Sequence, residues 1–245
     1  RDRSVSRGLG DVYKRQQEKN MKKRHLVYAI ALIVGMGACA ASAKKQAEAK
    51  PDVWKSYNVG TVLFEDKASE TKGSDIYHRI IPDAESYIKE QARTVLATLY
   101  NSPEDSITPV NKIHYTLEDI EGISAKGGGN GDVTIFYSTR HIEKSFAEND
   151  TAKLFFETRG VLLHELTHAY QLEPQGIGSY GTNRVFWAFI EGMADAVRVA
   201  NGGFDGPNAR PKGGNYMDGY RTAGYFFVWL RDNKDPEFLR KFNRS

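Results

Sequence analysis

Apolar positions recur along this chain with two different periods. Alternation at period two marks two strands, "NKIHYTLED" (Asn111–Asp119) and "DVTIFYST" (Asp132–Thr139), and "VGTVLFED" (Val59–Asp66) also reads as a strand. Helical spacing appears in "PDAESYIKEQARTVLATLY", where Ile88, Ala92, Val95, Leu96 and Leu99 share one stripe and Pro82 stands near the first turn. A second helix starts at a cap, Asn149 or Asp150, and runs to about Gln171. "FWAFIEGMADAVRVA" (Phe186–Ala200) and "YMDGYRTAGYFFVWLRDN" (Tyr216–Asn233) predict two more helices. "KGGGNGD", "PQGIGSYGTNR" and "GGFDGPNARPKGGN" are too rich in glycine and polar residues for anything but loops. No internal repeat is present. Strands come early and helices late, which predicts an α+β fold rather than alternating parallel units.

One apolar run obeys neither period. Leu26 to Ala38 follows Met21 and a positive cluster, Lys22, Lys23 and Arg24. At 13 residues it suits a signal-peptide core and falls short of the roughly 20 that span a bilayer. "ASA" at Ala41–Ala43 offers a cleavage site. The expected organisation is therefore a signal peptide at 21–43, a polar linker at 44–52 and one domain at 53–245. Residues 1–20, rich in Arg and without apolar periodicity, read as a non-native leader. Export follows, to the periplasm, the cell surface or the medium. Cys39, the sole cysteine, lies in "MGAC", which loosely matches a lipobox. Two outcomes stay open: a lipid anchor at Cys39, the one route to a membrane, or cleavage after Ala43. Either way no disulfide forms within the chain, and stability must come from a core and any bound metal.

The net charge of +3 belongs to the leader and signal, since residues 1–43 hold nine basic and three acidic side chains. The remainder has 25 basic and 28 acidic residues, net −3, with no basic block. That argues against a nucleic-acid partner.

"RGVLLHELTHAYQLE" (Arg159–Glu173) sets His164, Glu165 and His168 in an otherwise apolar helix. Residues four apart project from nearly one face, so both imidazoles can converge on one ion, with zinc–nitrogen bonds of about 2.0–2.1 Å. Glu165 points beside such an ion, where it can take a proton from water. A third ligand is the discriminating test. "IEGMAD" supplies Glu191 between strongly apolar flanks, where an unpaired carboxylate would be costly. A His–His–Glu set leaves the fourth position open for water. Asp195, one turn after Glu191, suits the free N–H of a ligating histidine.

At these residues the chain resembles the plant basic secretory protein family and its bacterial relatives, within the gluzincin zinc metallopeptidases. "GVLLHELTHAYQ", "FIEGMADAVR", "GYRTAGYFFVWL" and, more weakly, "GIS" followed by "DVTIFYS" carry the resemblance across Val53–Asn243. It implies a zincin-like fold with a mixed sheet beside the helix bearing His164 and His168, and a mostly helical C-terminal part. It implies a secreted protein, associated in plants with defence. It also implies Zn2+ held by His164, His168 and Glu191, with Glu165 as general base and Asp195 as supporting carboxylate. Because the family domain continues beyond "DPEFLRKFN", the resemblance implies a chain cut short at Ser245. The negative charge departs from the family's name.

Oxyanion stabilisation needs a donor. Tyr220, at the family's tyrosine position, is the first candidate, with Tyr216, Tyr225, Tyr170 and Tyr180 in competition. "DVTIFYST" reads either as a sheet edge for an extended peptide or as an ordinary half-buried strand. His78, His114 and His141 read as surface or packing residues, and the aromatics around Trp187 and Trp229 as core. The leading function is an exported zinc peptidase acting on peptides or proteins. The alternative is a secreted binding protein with a structural zinc and recognition loops "GIGSYGTN" and "DGPNARPKGG". Hydrolysis of another amide, such as a peptidoglycan cross-link, would use the same site.

Overall fold

A computed structural model describes residues 52–145, 150–204 and 208–245. The leader, the signal segment with Cys39, and nearly all of the linker lie outside the described residues. Four strands, β1 (Thr61–Asp66), β2 (Lys112–Glu118), β3 (Ser124–Gly129) and β4 (Asp132–Ser138), form one sheet in the order β1-β2-β4-β3. β1, β2 and β4 run parallel, and β3 pairs antiparallel to β4. Alternation does the work expected of it. Ile113, Tyr115 and Leu117 of β2 and Val133, Ile135 and Tyr137 of β4 point into one buried face, in register residue for residue.

The glycine run overturns the loop expectation. Lys126–Gly129 belongs to β3, and Asn130–Gly131 is a two-residue hairpin with both residues in the left-handed region (φ 54° and 84°). That is the Asn-Gly turn that matches strand twist. Glycine gives β3 no apolar alternation to recognise, so the strand was hidden while its turn was in plain view. β4 is consequently an interior strand, and the edge strands of the sheet are β1 and β3.

Seven α-helices are described: α1 (Lys72–Ile80), α2 (Ala84–Leu99), α3 (Thr139–Ser145), α4 (Thr151–Tyr170), α5 (Arg184–Ala200), α6 (Tyr220–Asn233) and α7 (Phe238–Asn243). Asp83 caps α2 through the Ser86 N–H, so Pro82 precedes the cap instead of sitting in the first turn. Asp150 caps α4, and Asn183 caps α5. The short helices α1, α3 and α7 are additional to the expected ones. The stretch expected to be one helix from Tyr216 is a 3-10 turn (Tyr216–Asp218), a break at Gly219 with φ 65°, and then α6. A β-carbon at Gly219 would lie 2.6 Å from the Trp187 ring, so glycine serves both the turn and the packing there.

α2, α4 and α5 share one apolar core with the sheet, joining Ile88, Val95, Leu96, Leu162, Leu166, Met193 and Val197 to the strand residues. α4 also contacts β3. Among the described residues no helix is long and apolar enough to cross a membrane.

Candidate metal centre

α4 and α5 meet antiparallel, and three cross-helix pairs set their register. Going up α5, Glu191 faces His164 and His168, Asp195 faces His164, and Arg198 faces Glu157. Close approach of α5 to α6 depends on glycine. A β-carbon on Gly192 would stand 2.6 Å from Ala223 Cβ, and one on Gly224 would stand 2.9 Å from the Asp195 backbone. The two glycines let α6 brace the helix that carries both carboxylates.

The three expected ligand atoms form a small triangle. His164 Nε2 and His168 Nε2 are 3.0 Å apart. Glu191 Oε2 lies 3.3 Å from the first and 3.6 Å from the second. Four ligands at tetrahedral angles, about 2.0–2.1 Å from a zinc ion, stand about 3.3 Å from each other. The triangle has that size. Glu191 is buried, and its Oε2 has no hydrogen-bond partner. A carboxylate oxygen so placed is costly unless a cation faces it. The set therefore fits a divalent metal, and it is the cluster of this kind among the described residues.

The surrounding groups prepare each ligand. Asp195 Oδ1 lies 2.7 Å from His164 Nδ1, so that nitrogen carries its proton toward Asp195 and Nε2 is left free for an ion. Burial alone would lower the His164 pKa, but the Asp195 and Glu191 carboxylates outweigh it and raise the value to about 10. The cage thus favours a positive charge at this point. His168 Nδ1 is 2.8 Å from the Gln171 side-chain amide, whose oxygen is buried without a partner. That contact holds the His168 ring at the end of α4 with Nε2 turned to the triangle. Gln171 escaped the sequence reading, although its position three residues after His168 places it on the same face.

Glu165 is buried in the wall of a cleft of about 930 Å³ that also holds the triangle. Burial pushes its carboxyl above the ordinary value, against the pull of His164, His168 and Ser124. Ser124, Ala125 and Lys126 of the open edge β3 line the same cleft. Tyr220 stacks its ring on His164, centroids 6.1 Å apart and 13° from parallel, with Trp187 edge-on behind it. Nearly half of Tyr220 is exposed to the cleft.

The competing tyrosines sort themselves by position. Tyr170 is buried, its hydroxyl donating to Val59 O, and Tyr225 donates to Phe204 O. Tyr216 lies in a separate groove. Tyr180 does reach the site, donating to Glu191 Oε1 at 2.6 Å. His78, His114 and His141 stay apart from the triangle, beside Asp66, Glu65 and Glu157 respectively. The aromatic expectation holds for Phe186, Phe189 and Phe227, which are buried in the core, and fails for their neighbours. Trp229 and Phe226 are 39% and 42% exposed on α6, and Trp187 is a half-buried brace rather than core, because α6 turns one aromatic face outward.

A family profile described as peptidase of plants and bacteria matches residues 59–245. No curated protein is detectably similar in sequence. One solved structure aligns, a proposed zinc-binding metallo-peptidase from Bacteroides caccae, at 15% identity over 84% of this chain and 93% of that one. Its TM-score is 0.24, too low to carry an argument about either fold or site.

Proposed function

This chain belongs to the family of peptidases of plants and bacteria, and we propose that it is an exported, zinc-dependent peptidase with a zincin-like fold. The observation that supports this most is the triangle that buried Glu191 Oε2 makes with two imidazole nitrogens, sized for a zinc ion and with no hydrogen bond to Oε2. His164, His168 and Glu191 are the residues that would hold the ion. A zinc ion there supplies Lewis acidity, lowering the pKa of water toward about 7.

The chain's own groups do the rest. Glu165, held in the cleft wall with a raised proton affinity, takes the proton of the attacking water and passes it to the leaving amine. Asp195 and Gln171 fix the two imidazoles. The Tyr220 phenol stands over His164 at the cleft surface and donates to the oxyanion that develops on the scissile carbonyl. β3 offers its open edge along the cleft, where an extended peptide can add as a further strand. The substrate is accordingly a peptide or protein segment in extended form. Residues 21–43 support export, and the site needs neither nucleic acid nor membrane.

The test is Glu165→Gln. The variant should keep the fold and the metal yet lose hydrolysis of a peptide library by about 100-fold or more. Cleavage at the parent rate would remove Glu165 from the reaction, and full activity of the parent after chelation would remove the metal.

A further inference from the structure

Glu191 has two oxygens, and they are treated differently. Oε2 faces the imidazoles, while Oε1 accepts the Tyr180 hydroxyl at 2.6 Å. Tyr180 comes from neither helix of the site. It stands at the tip of the Gln171–Asn183 connection, and that connection is keyed to the helix bearing Glu191. Ser179 N–H donates to Thr182 Oγ1, and Thr182 and Asn183 N–H both return to Ser179 O. Asn183 then donates through Nδ2 to Ile177 O while its Oδ1 caps α5. Gly176 and Gly178, at φ 76° and 97°, allow the chain to turn into this strap. The hydroxyl is thus fixed relative to Glu191 by the first turns of the same helix.

Tyr180 is 47% exposed overall, so its ring contributes little to the core; its inward end is the phenol. Trp187 and Tyr220 stand beside that hydroxyl as well. A carboxylate free to swing can meet an ion with both oxygens, and one whose second oxygen is already hydrogen-bonded meets it with one.

We propose that Tyr180 is a positioning residue that holds Glu191 to one-oxygen ligation, and so keeps a coordination position open for water. This rests on the metal-site reading above. Without the phenol, Glu191 is expected to turn both oxygens to the ion, raising the coordination number from four to five and crowding the position that water occupies. Tyr180 therefore acts through Glu191 without touching the reacting atoms.

The experiment loads the parent, Tyr180→Phe and Tyr180→Leu with cobalt(II) as the probe. It records visible absorption, which is strong for four-coordinate cobalt and weak for five-coordinate. Binding is measured by competition with a chromophoric chelator. Both variants should melt with the parent when metal-free, lose most of the visible absorption per bound cobalt, and bind the metal about 10-fold more weakly. Variants that bind cobalt with the parent's spectrum overturn the role of Tyr180, whatever their affinity, and leave the metal site standing. A parent that takes up no cobalt overturns the metal site itself, and this inference with it.

Discussion

His164 Nδ1 sits 2.7 Å from Asp195 Oδ1, a contact between two helices made by residues 31 positions apart in sequence. Both groups are nearly buried, so little water competes for the bond. One imidazole is thereby committed: its proton points to α5, and its other nitrogen points to Glu191. Asp195→Asn keeps the shape and removes the charge. Zinc affinity is expected to fall by about 10–100-fold, read by competition with a chelator of known affinity. Unchanged affinity would make Asp195 a packing residue.

The same contact depends on how close α6 lies to α5. Gly224→Ala would set a β-carbon 2.9 Å from the Asp195 main chain, which no side-chain rotation relieves. A loss of about 1–3 kcal/mol is expected in urea unfolding, with weaker zinc binding as Asp195 is displaced. An alanine variant with the parent's stability would show that α6 can move away freely.

Glu157 gives the pH dependence a sign. Burial alone would raise its carboxyl, but His141, 3.2 Å away, and Arg198, at 2.6 Å, more than offset that and hold it below its ordinary value of 4.5. A depressed folded-state pKa stabilises above the unfolded value and loses that contribution as pH falls through the folded one. Stability should therefore drop below about pH 4.5, and Glu157→Gln should flatten that part of the curve. Equal acid slopes for parent and variant would contradict this.

Much of the fold and site can be read from side-chain pattern, and the exceptions have physical causes. Strands β1, β2 and β4 alternate because one face is buried, and HELTH with EGMAD names the helices that meet. Glycine hides what it builds: β3 ends in three glycines and has no apolar alternation, and Gly219 interrupts a stretch whose apolar spacing runs straight through. Tyr180 lies outside the HELTH and EGMAD motifs, on the connection after α4, and only the folded chain brings it onto Glu191. Trp229 and Phe226 misled because apolar content does not say which face of a helix is covered.

Metal content per chain tests the central claim most directly. Protein dialysed against trace zinc and then metal-free buffer should retain one equivalent by elemental mass spectrometry. Glu165→Gln should retain the same, and His164→Ala/His168→Ala should retain none. One zinc still held by the double variant, or none held by the parent, would contradict a centre built from His164, His168 and Glu191.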